Sequence, residues 1–404
     1  MRSMEEIVAD YIMEESRLPP YALPSPLVRE DGSRISTAFE WMNVQRAKIR
    51  NLFEKEEYGF LPPRPDSIRF ETQEIRDDAL NNTAIRKIIR LNFAMNSGKH
   101  HSVTMLLYLP KHVAKPCPGF LGLNFKGCHA TTGEPDVPVT GFQAPGQPVF
   151  PDARGTQAGR WCFPEVIRRG YASATLCYHD FYPDFRNAEA NSIYGMFFDP
   201  ANWDTLSETY SPIGAWAWGL SRALDYLESD PDVDASRIAL HGHSRLGKTS
   251  LWAGACDPRF KLVISNDSGC AGGALHKRKF GENVEALISH SCADWFVKAF
   301  HKYSGKEEDM PFDQHELLAL IAPRPLAVGT ATEDFHADPK GEFLSCVHAS
   351  EVYRLFGSEG LPVREMPPPD APVMGEIGFH YRTGGHDQTW DDWKFYLDFA
   401  DRHL

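Results

Sequence analysis

Residues 237–248 read Arg-Ile-Ala-Leu-His-Gly-His-Ser-Arg-Leu-Gly-Lys, an apolar strand that runs through Gly-x-Ser straight into a helical pattern. No other stretch restricts the fold as much. A strand enters a helix this abruptly only through a sharp turn, and a glycine beside the serine keeps that turn free of a Cβ clash. The turn lifts the Ser244 hydroxyl above the strand ends and leaves the Arg245 backbone N–H where an oxyanion would form. A serine that merely caps a helix is the alternative, because strand–helix junctions often use one. The strand–turn–helix context favours the elbow. The second glycine, Gly247, stands three residues after the serine instead of two, so plain Gly-x-Ser-x-Gly is not met.

The rest of the chain has the rhythm that such an elbow requires. After Pro118, apolar strand candidates at 119–123, 172–176, 237–241, 262–265 and 325–329 alternate with helical segments. One of these, 213–227, sets Trp216, Leu220, Leu224 and Leu227 on one face. The alternation predicts a mostly parallel central sheet with helices on both sides, the three-layer α/β-hydrolase arrangement. Between 67 and 110 short alternating runs (84–91 and 103–109) predict antiparallel strands at one edge of that sheet. The first 60 or so residues read as helical, with an amphipathic run from Phe39 to Phe53. We therefore expect one catalytic domain over 1–404, with 1–66 as an N-terminal helical extension packed on it. Two segments break the rhythm: 131–159, rich in Pro and Gly, and 181–211, rich in Asn, Asp and aromatics. Insertions of this length are more often functional loops than disorder.

A serine nucleophile needs a base and an acid, and in this arrangement the chain order is serine, acid, histidine. Among sixteen histidines, position selects His386. It follows the last strand candidate (378–382), precedes a final helix starting near Thr389, and sits after Gly384-Gly385, which lets an imidazole fold back over the strand ends. His380 and His403 read as packing or surface residues. Two acids compete. Asp334 follows the strand at 325–329 and Asp267 follows that at 262–265; either would fix the histidine tautomer and stabilise the imidazolium. A turn or capping aspartate is the alternative for both. Chain order favours Asp334, with Asp267 kept as the alternative acid or a partner behind it. A second oxyanion donor is expected from the loop after 121–124, from the N–H of Phe125, Lys126 or Gly127. Arg245 and Lys248 put two cations beside the elbow. On an ordinary helix they would be a solvated face; here they suit a carboxylate or a developing oxyanion.

Composition narrows the classes. Lys and Arg number 42 against 55 Asp and Glu, a net charge of −13, which argues against a general nucleic-acid binder. No apolar run approaches the ~18 residues of a spanning helix, so no membrane partner is expected. At 42 % hydrophobic and 12 % aromatic the chain is too apolar for disorder. Eight cysteines, at 117, 128, 162, 177, 256, 270, 292 and 346, form no Cys-x-x-Cys pair, against zinc-ribbon and thioredoxin-like readings. The first nine residues, MRSMEEIVA, carry acids where a secretion signal needs a basic stretch, and no apolar run follows, which fits either a cytoplasmic protein or one whose signal peptide has been removed.

The segment Gly242-His243-Ser244-Arg245-Leu246-Gly247-Lys248 resembles the Gly-x-Ser-Arg-x-Gly-Lys signature of the glucuronoyl esterases, a carbohydrate esterase family. Asn266-Asp267-Ser268-Gly269-Cys270, Phe280-Gly281-Glu282, Trp295-Phe296, Glu333-Asp334 and Gly384-Gly385-His386-Asp387 are similar to its later blocks. The similarity runs from about residue 119 to the C-terminus, and more weakly through Pro19-Pro20-Tyr21 and Glu57-Tyr58-Gly59.

The resemblance implies a serine esterase without metal or cofactor. Such an enzyme cleaves the ester that joins the 4-O-methyl-glucuronic acid carboxyl of xylan to lignin alcohols. By position it implies Ser244 as nucleophile, His386 as base and Arg245 as oxyanion stabiliser. Lys248 and Glu282 would hold the uronate hydroxyls, with His336 and Lys126 also on the substrate side. Family members differ in whether the acid stands at the Asp267 or the Asp334 position. His336 occupies the place where many bacterial members carry a sugar-stacking tryptophan. Fungal members place cysteines beside the nucleophile and the histidine; here those neighbours are His243 and Asp387, so no disulfide staples the site. The expected partner is a polysaccharide uronate ester, and the expected form is a secreted or periplasmic monomer. Two other readings stay open: an acetyl-xylan esterase, which gives Lys248 and Arg245 no carboxyl to hold, and a silent carbohydrate-binding homologue using aromatics around Trp203, Trp216 and Trp218.

Overall fold

Parallel strands covered by helices on both faces must be apolar almost throughout. The strands of the second half of the chain obey this in the computed structural model, which describes residues 2–289 and 294–404. In chain order the strands are β1 (Ser67–Asp78), β2 (Ala84–Ala94), β3 (His100–Pro110), β4 (Cys117–Asn124), β5 (Phe142–Ala144), β6 (Gln147–Pro148), β7 (Ala172–Cys177), β8 (Val233–His243), β9 (Leu262–Asn266), β10 (Leu326–Ala331) and β11 (Ile377–Arg382). Every residue of β7, β9 and β10 is buried.

Nine of these strands form one sheet in the order β1-β2-β3-β7-β4-β8-β9-β10-β11. The pairs β1/β2, β2/β3 and β3/β7 are antiparallel and all later pairs are parallel. The antiparallel strands thus occupy one edge, as the alternating runs of 67–110 predict. The outermost, β1, shows solvent most of its residues and carries Arg69, Glu71, Glu74 and Arg76, charges that discourage a second sheet from pairing with it. The hairpin β5/β6 lies outside this sheet, within the first insertion.

Alternation along the strands assigns the layers, because successive residues point to opposite faces. On β9, Val263 joins the cluster of Trp216 and Trp252, whereas Leu262 and Ile264 join that of Trp393 and Phe399. Helices Pro212–Leu227 and Arg245–Cys256 therefore cover one face and the final helix Trp390–His403 the other. Helix Pro212–Leu227 is buried along its whole length, not on one stripe, which is the behaviour of a helix apolar all round. Ser211 starts it by accepting the Gly214 N–H through its side chain.

The N-terminal sixty residues are less helical than their sequence suggests. Helix occurs at Met4–Ala9, in a short turn at Glu15–Arg17, and from Ala38 to Glu56, the last with a π-helical stretch at Trp41–Gln45. Between 18 and 37 the chain is irregular, with one bridge between Val28 and Arg34. Pro19, Pro20, Pro24 and Pro26 account for this, since each removes a donor and fixes its own φ. No described helix is long and apolar enough to cross a membrane. The seven described cysteines are free thiols, and Cys292 lies outside the described residues.

Candidate active site

The C-terminal ends of β8, β9, β10 and β11 lie side by side, and each delivers one group to a common rim. Ser244 leaves β8 with φ 58° and ψ −129°, a conformation that L-residues avoid and that elbows hold under strain. Three contacts enforce it. A Cβ at Gly242 would come within 2.0 Å of the Leu246 carbonyl oxygen, so that position admits glycine alone. At Gly247 a Cβ would stand 3.0 Å from Ser268 Cβ and 3.1 Å from the Asn266 oxygen, which explains the glycine displaced to the third position. The Ser244 N–H donates to the Asn266 carbonyl at 2.9 Å and ties the turn to the end of β9. Helix Arg245–Cys256 begins on the next residue, so the Arg245 N–H belongs to the uncommitted first turn of a helix, where negative charge is favoured.

His386 comes from the loop after β11. Its Nδ1 lies 2.6 Å from Asp334 Oδ2, and Asp334 follows β10. Its ring centroid is 4.6 Å from that of His243, the residue preceding Ser244. The imidazole is 43 % exposed and Asp334 only 6 %. His243 is buried and donates from Nδ1 to Asn266 Oδ1 at 2.7 Å. Burial, and then the neighbouring His386 and Arg160, hold its pKa far below the usual histidine value, so it is a neutral packing ring.

Asp267 also reaches this corner but in a different state. It is 1 % exposed, neither carboxyl oxygen has a hydrogen-bond partner among the described residues, and the Arg382 guanidinium stays 3.6 Å away. Burial first, then the charges of Glu342, Asp334 and Asp392, push its pKa well up and keep it protonated. One ligand atom each from Asp267, Asp334 and His386 lies within 4.8 Å of the others. The 2.6 Å separation of Nδ1 and Oδ2 is nonetheless that of a shared proton; two donors on one tetrahedral zinc ion stand about 3.3 Å apart.

The other flank of Ser244 is cationic. Arg245 pairs with Asp184, its guanidinium lies 4.5 Å from the Trp295 ring centroid, and Phe125 covers it at 5.9 Å. Asp184 in turn accepts from Tyr178 Oη at 3.0 Å and Trp295 Nε1 at 2.8 Å, while its own N–H donates to His179 Nδ1 at 3.0 Å. Lys248, 4 % exposed, donates to the Ser268 carbonyl and stands 4.0 Å from the Glu282 carboxylate. The Glu282 N–H donates to the His336 carbonyl at 2.9 Å. His336 meets the edge of Tyr11 at 5.4 Å, and the Ile12 carbonyl accepts the Gly281 N–H at 3.0 Å. The N-terminal segment thus closes the Lys248 side.

Of the three candidates for a second oxyanion donor, Gly127 is already committed, donating to Asn124 Oδ1 at 2.7 Å. That leaves Phe125 and Lys126; the Lys126 ammonium lies 5.6 Å over the Phe150 ring. His380 and His403 are not brought to the rim: His380 stacks on Phe395 at 5.2 Å and His403 lies 3.0 Å from the Gly375 carbonyl. Sequence reasoning missed Asp184, Tyr178 and Tyr11. The one signal for Asp184 was its place in an insertion too long to be a plain connection.

Comparison with known proteins bears on this geometry. The profile of a family described as "Glucuronyl esterase, fungi" matches residues 166–357. A carbohydrate esterase of an unknown prokaryotic organism is 41 % identical over 399 residues, 97 % of this chain and 91 % of its own. The 4-O-methyl-glucuronoyl methylesterase of Schizophyllum commune is 26 % identical over 346 residues, covering 83 % of this chain and 74 % of the fungal one. Among solved structures, a glucuronoyl esterase from Solibacter usitatus superposes with a TM-score of 0.90 at 40 % identity, over 96 % of this chain and all of that one. A carbohydrate esterase family 15 enzyme from a marine bacterial metagenome, described as promiscuous, gives 0.89 at 40 % identity over 98 % of this chain and 100 % of its own.

Proposed function

The chain belongs to the glucuronoyl esterases of carbohydrate esterase family 15, and on that footing we propose that it hydrolyses glucuronoyl esters of a plant or algal polysaccharide through an acyl-enzyme. Ser244 attacks the uronoyl carbonyl as His386 takes its proton through Nε2. Asp334 fixes the histidine tautomer from Nδ1 and stabilises the imidazolium. The tetrahedral oxyanion is held by the Arg245 N–H and its side chain, with an N–H from Phe125 or Lys126. The alcohol leaves with the proton from His386, and water repeats the sequence to release the free uronate. Lys248 and Glu282 hold the sugar hydroxyls, and His336, backed by Tyr11, forms the side of the pocket.

The observation that carries this reading is the 2.6 Å contact of His386 with Asp334 beside a serine held at φ 58°. The paired Arg245 and the buried Lys248 support a substrate that bears its ester on an acid sugar, since an acetyl ester gives neither cation a carboxyl-side partner.

Turnover of benzyl or methyl glucuronate beside 4-nitrophenyl acetate tests it. We expect the uronate esters to be the better substrates. Lys248→Ala should raise KM for them by about tenfold, the worth of one charged hydrogen bond, and leave acetate turnover nearly unchanged. Acetate cleaved far better than glucuronate would overturn the assignment.

A further inference from the structure

A second concavity, of about 970 Å³, opens at the antiparallel side of the same rim. Its floor is the start of β3, with His101 and Thr104, together with His179 and Asp180 after β7. One wall comes from 142–146 in the first insertion and the other from 190–196 in the second. The volume is that of a site for a ligand of several rings, not of a gap between loops.

Its charge is opposite to that of the molecule. Arg90, Lys99 and His100 line it and are exposed, in a chain whose net charge is −13. The sole acid among its described lining residues is Asp180. That carboxylate accepts the N–H groups of Gly141 and Phe142, each at 3.0 Å, and burial pushes its pKa up to about 7. Arg90 faces Glu71 across the β1/β2 ladder. Lys99 and His100 meet no exposed acid among the described lining residues, and cations in a concave wall attract an anion more strongly than the same cations on a convex surface. The floor is also joined to the reaction site, because His179 accepts the N–H of Asp184, the partner of Arg245. From β8 to β3 is three strand steps, or roughly 15 Å at ~4.8 Å each, within reach of a short oligosaccharide.

We propose that this groove is a subsite for the main chain of an acidic polysaccharide, taking a second, free uronate of the polymer whose ester is cut at Ser244. The inference rests on the uronate-ester reading and extends it. The two insertions then act together: they form a channel that selects among polymers, while the ester chemistry stays at the strand ends.

The test uses three substrates: benzyl glucuronate, the same ester carried on an oligoxylan with a second free glucuronate, and the ester on a neutral oligoxylan. The wild-type KM should be about five- to tenfold lower on the acidic carrier than on the neutral one, and the gap should close in about 0.5 M salt. Arg90→Gln with Lys99→Gln should abolish the preference while leaving kcat on all three substrates, and KM on benzyl glucuronate, unchanged. Lys99 also donates to the Phe198 carbonyl at 3.0 Å, so Arg90→Gln alone, expected to remove part of the preference, controls for a moved loop. Equal KM on both carriers in the wild type, or a preference that survives the double variant, overturns the proposal. If benzyl glucuronate is not cleaved at all, the esterase reading is what fails. The groove is then judged by calorimetry with the ester-free acidic oligosaccharide: tighter binding than to the neutral one, lost in the double variant, supports it, and equal binding overturns it.

Discussion

Two buried aspartates flank Ser244, the proposed nucleophile, and their surroundings treat them in opposite ways. Asp184 is paired with the Arg245 guanidinium and receives a phenol O–H and an indole N–H. Asp267 is just as deeply buried and accepts no hydrogen bond from any described residue. A carboxylate leaves water only where donors replace it, and where they do not it keeps its proton. One aspartate therefore anchors a cation beside Ser244. The other is a neutral wedge behind His386, whose imidazole contacts Asp334 instead.

The difference is sharpest in catalysis. Asp334→Asn should lower kcat by about 10³- to 10⁴-fold, as expected when an imidazole loses the carboxylate that sets its tautomer. Asp267→Asn should cost less than about tenfold, because it replaces a neutral group with another of the same shape. Single-turnover rates on benzyl glucuronate measure both; near-equal losses would break the contrast.

On the cationic flank, Asp184→Asn removes the buried charge that pairs with Arg245. We expect kcat/KM to fall by roughly 10²-fold, the cost of disturbing one oxyanion donor. Urea unfolding should show a loss of about 3 kcal/mol, as for a broken buried ion pair. A variant with unchanged kinetics would mean that Asp184 does not position the guanidinium.

The smallest effect concerns stability. A carboxyl whose pKa is raised by folding stabilises the native state fully below its unfolded value, near 3.8, and loses that contribution as pH rises through the folded value. Asp267→Asn has no proton to lose. Its unfolding free energy should therefore gain on the wild type as pH rises above about 4, where the unfolded carboxyl ionises and the folded one keeps its proton, by up to about 1.4 kcal/mol per pH unit. A difference that stays flat with pH would mean that Asp267 is not protonated in the fold.

The same contrast marks how far the sequence could be read. The elbow, the order of the strands that bear Asp334 and His386, and the antiparallel edge are local patterns, written within a dozen residues each. The uncharged state of Asp267 is not local, because it follows from Glu342, Asp392 and the absence of donors that only packing brings together. Asp184 lies 61 residues before Arg245, in a Pro-Asp-Phe stretch that reads as a turn by itself. Residues 18–37 read as helical because of the amphipathic run that follows, and four prolines override it.

The N-terminal segment ends with its own demand on anyone who handles the protein. Tyr11 and Ile12 sit against His336 and Gly281, and Glu15 is clasped by Arg278 and Lys340. Trimming the first dozen residues to tidy the chain would pull out one jaw of the pocket. A bulky module fused ahead of them would hang at its lip, so appendages belong at the far terminus.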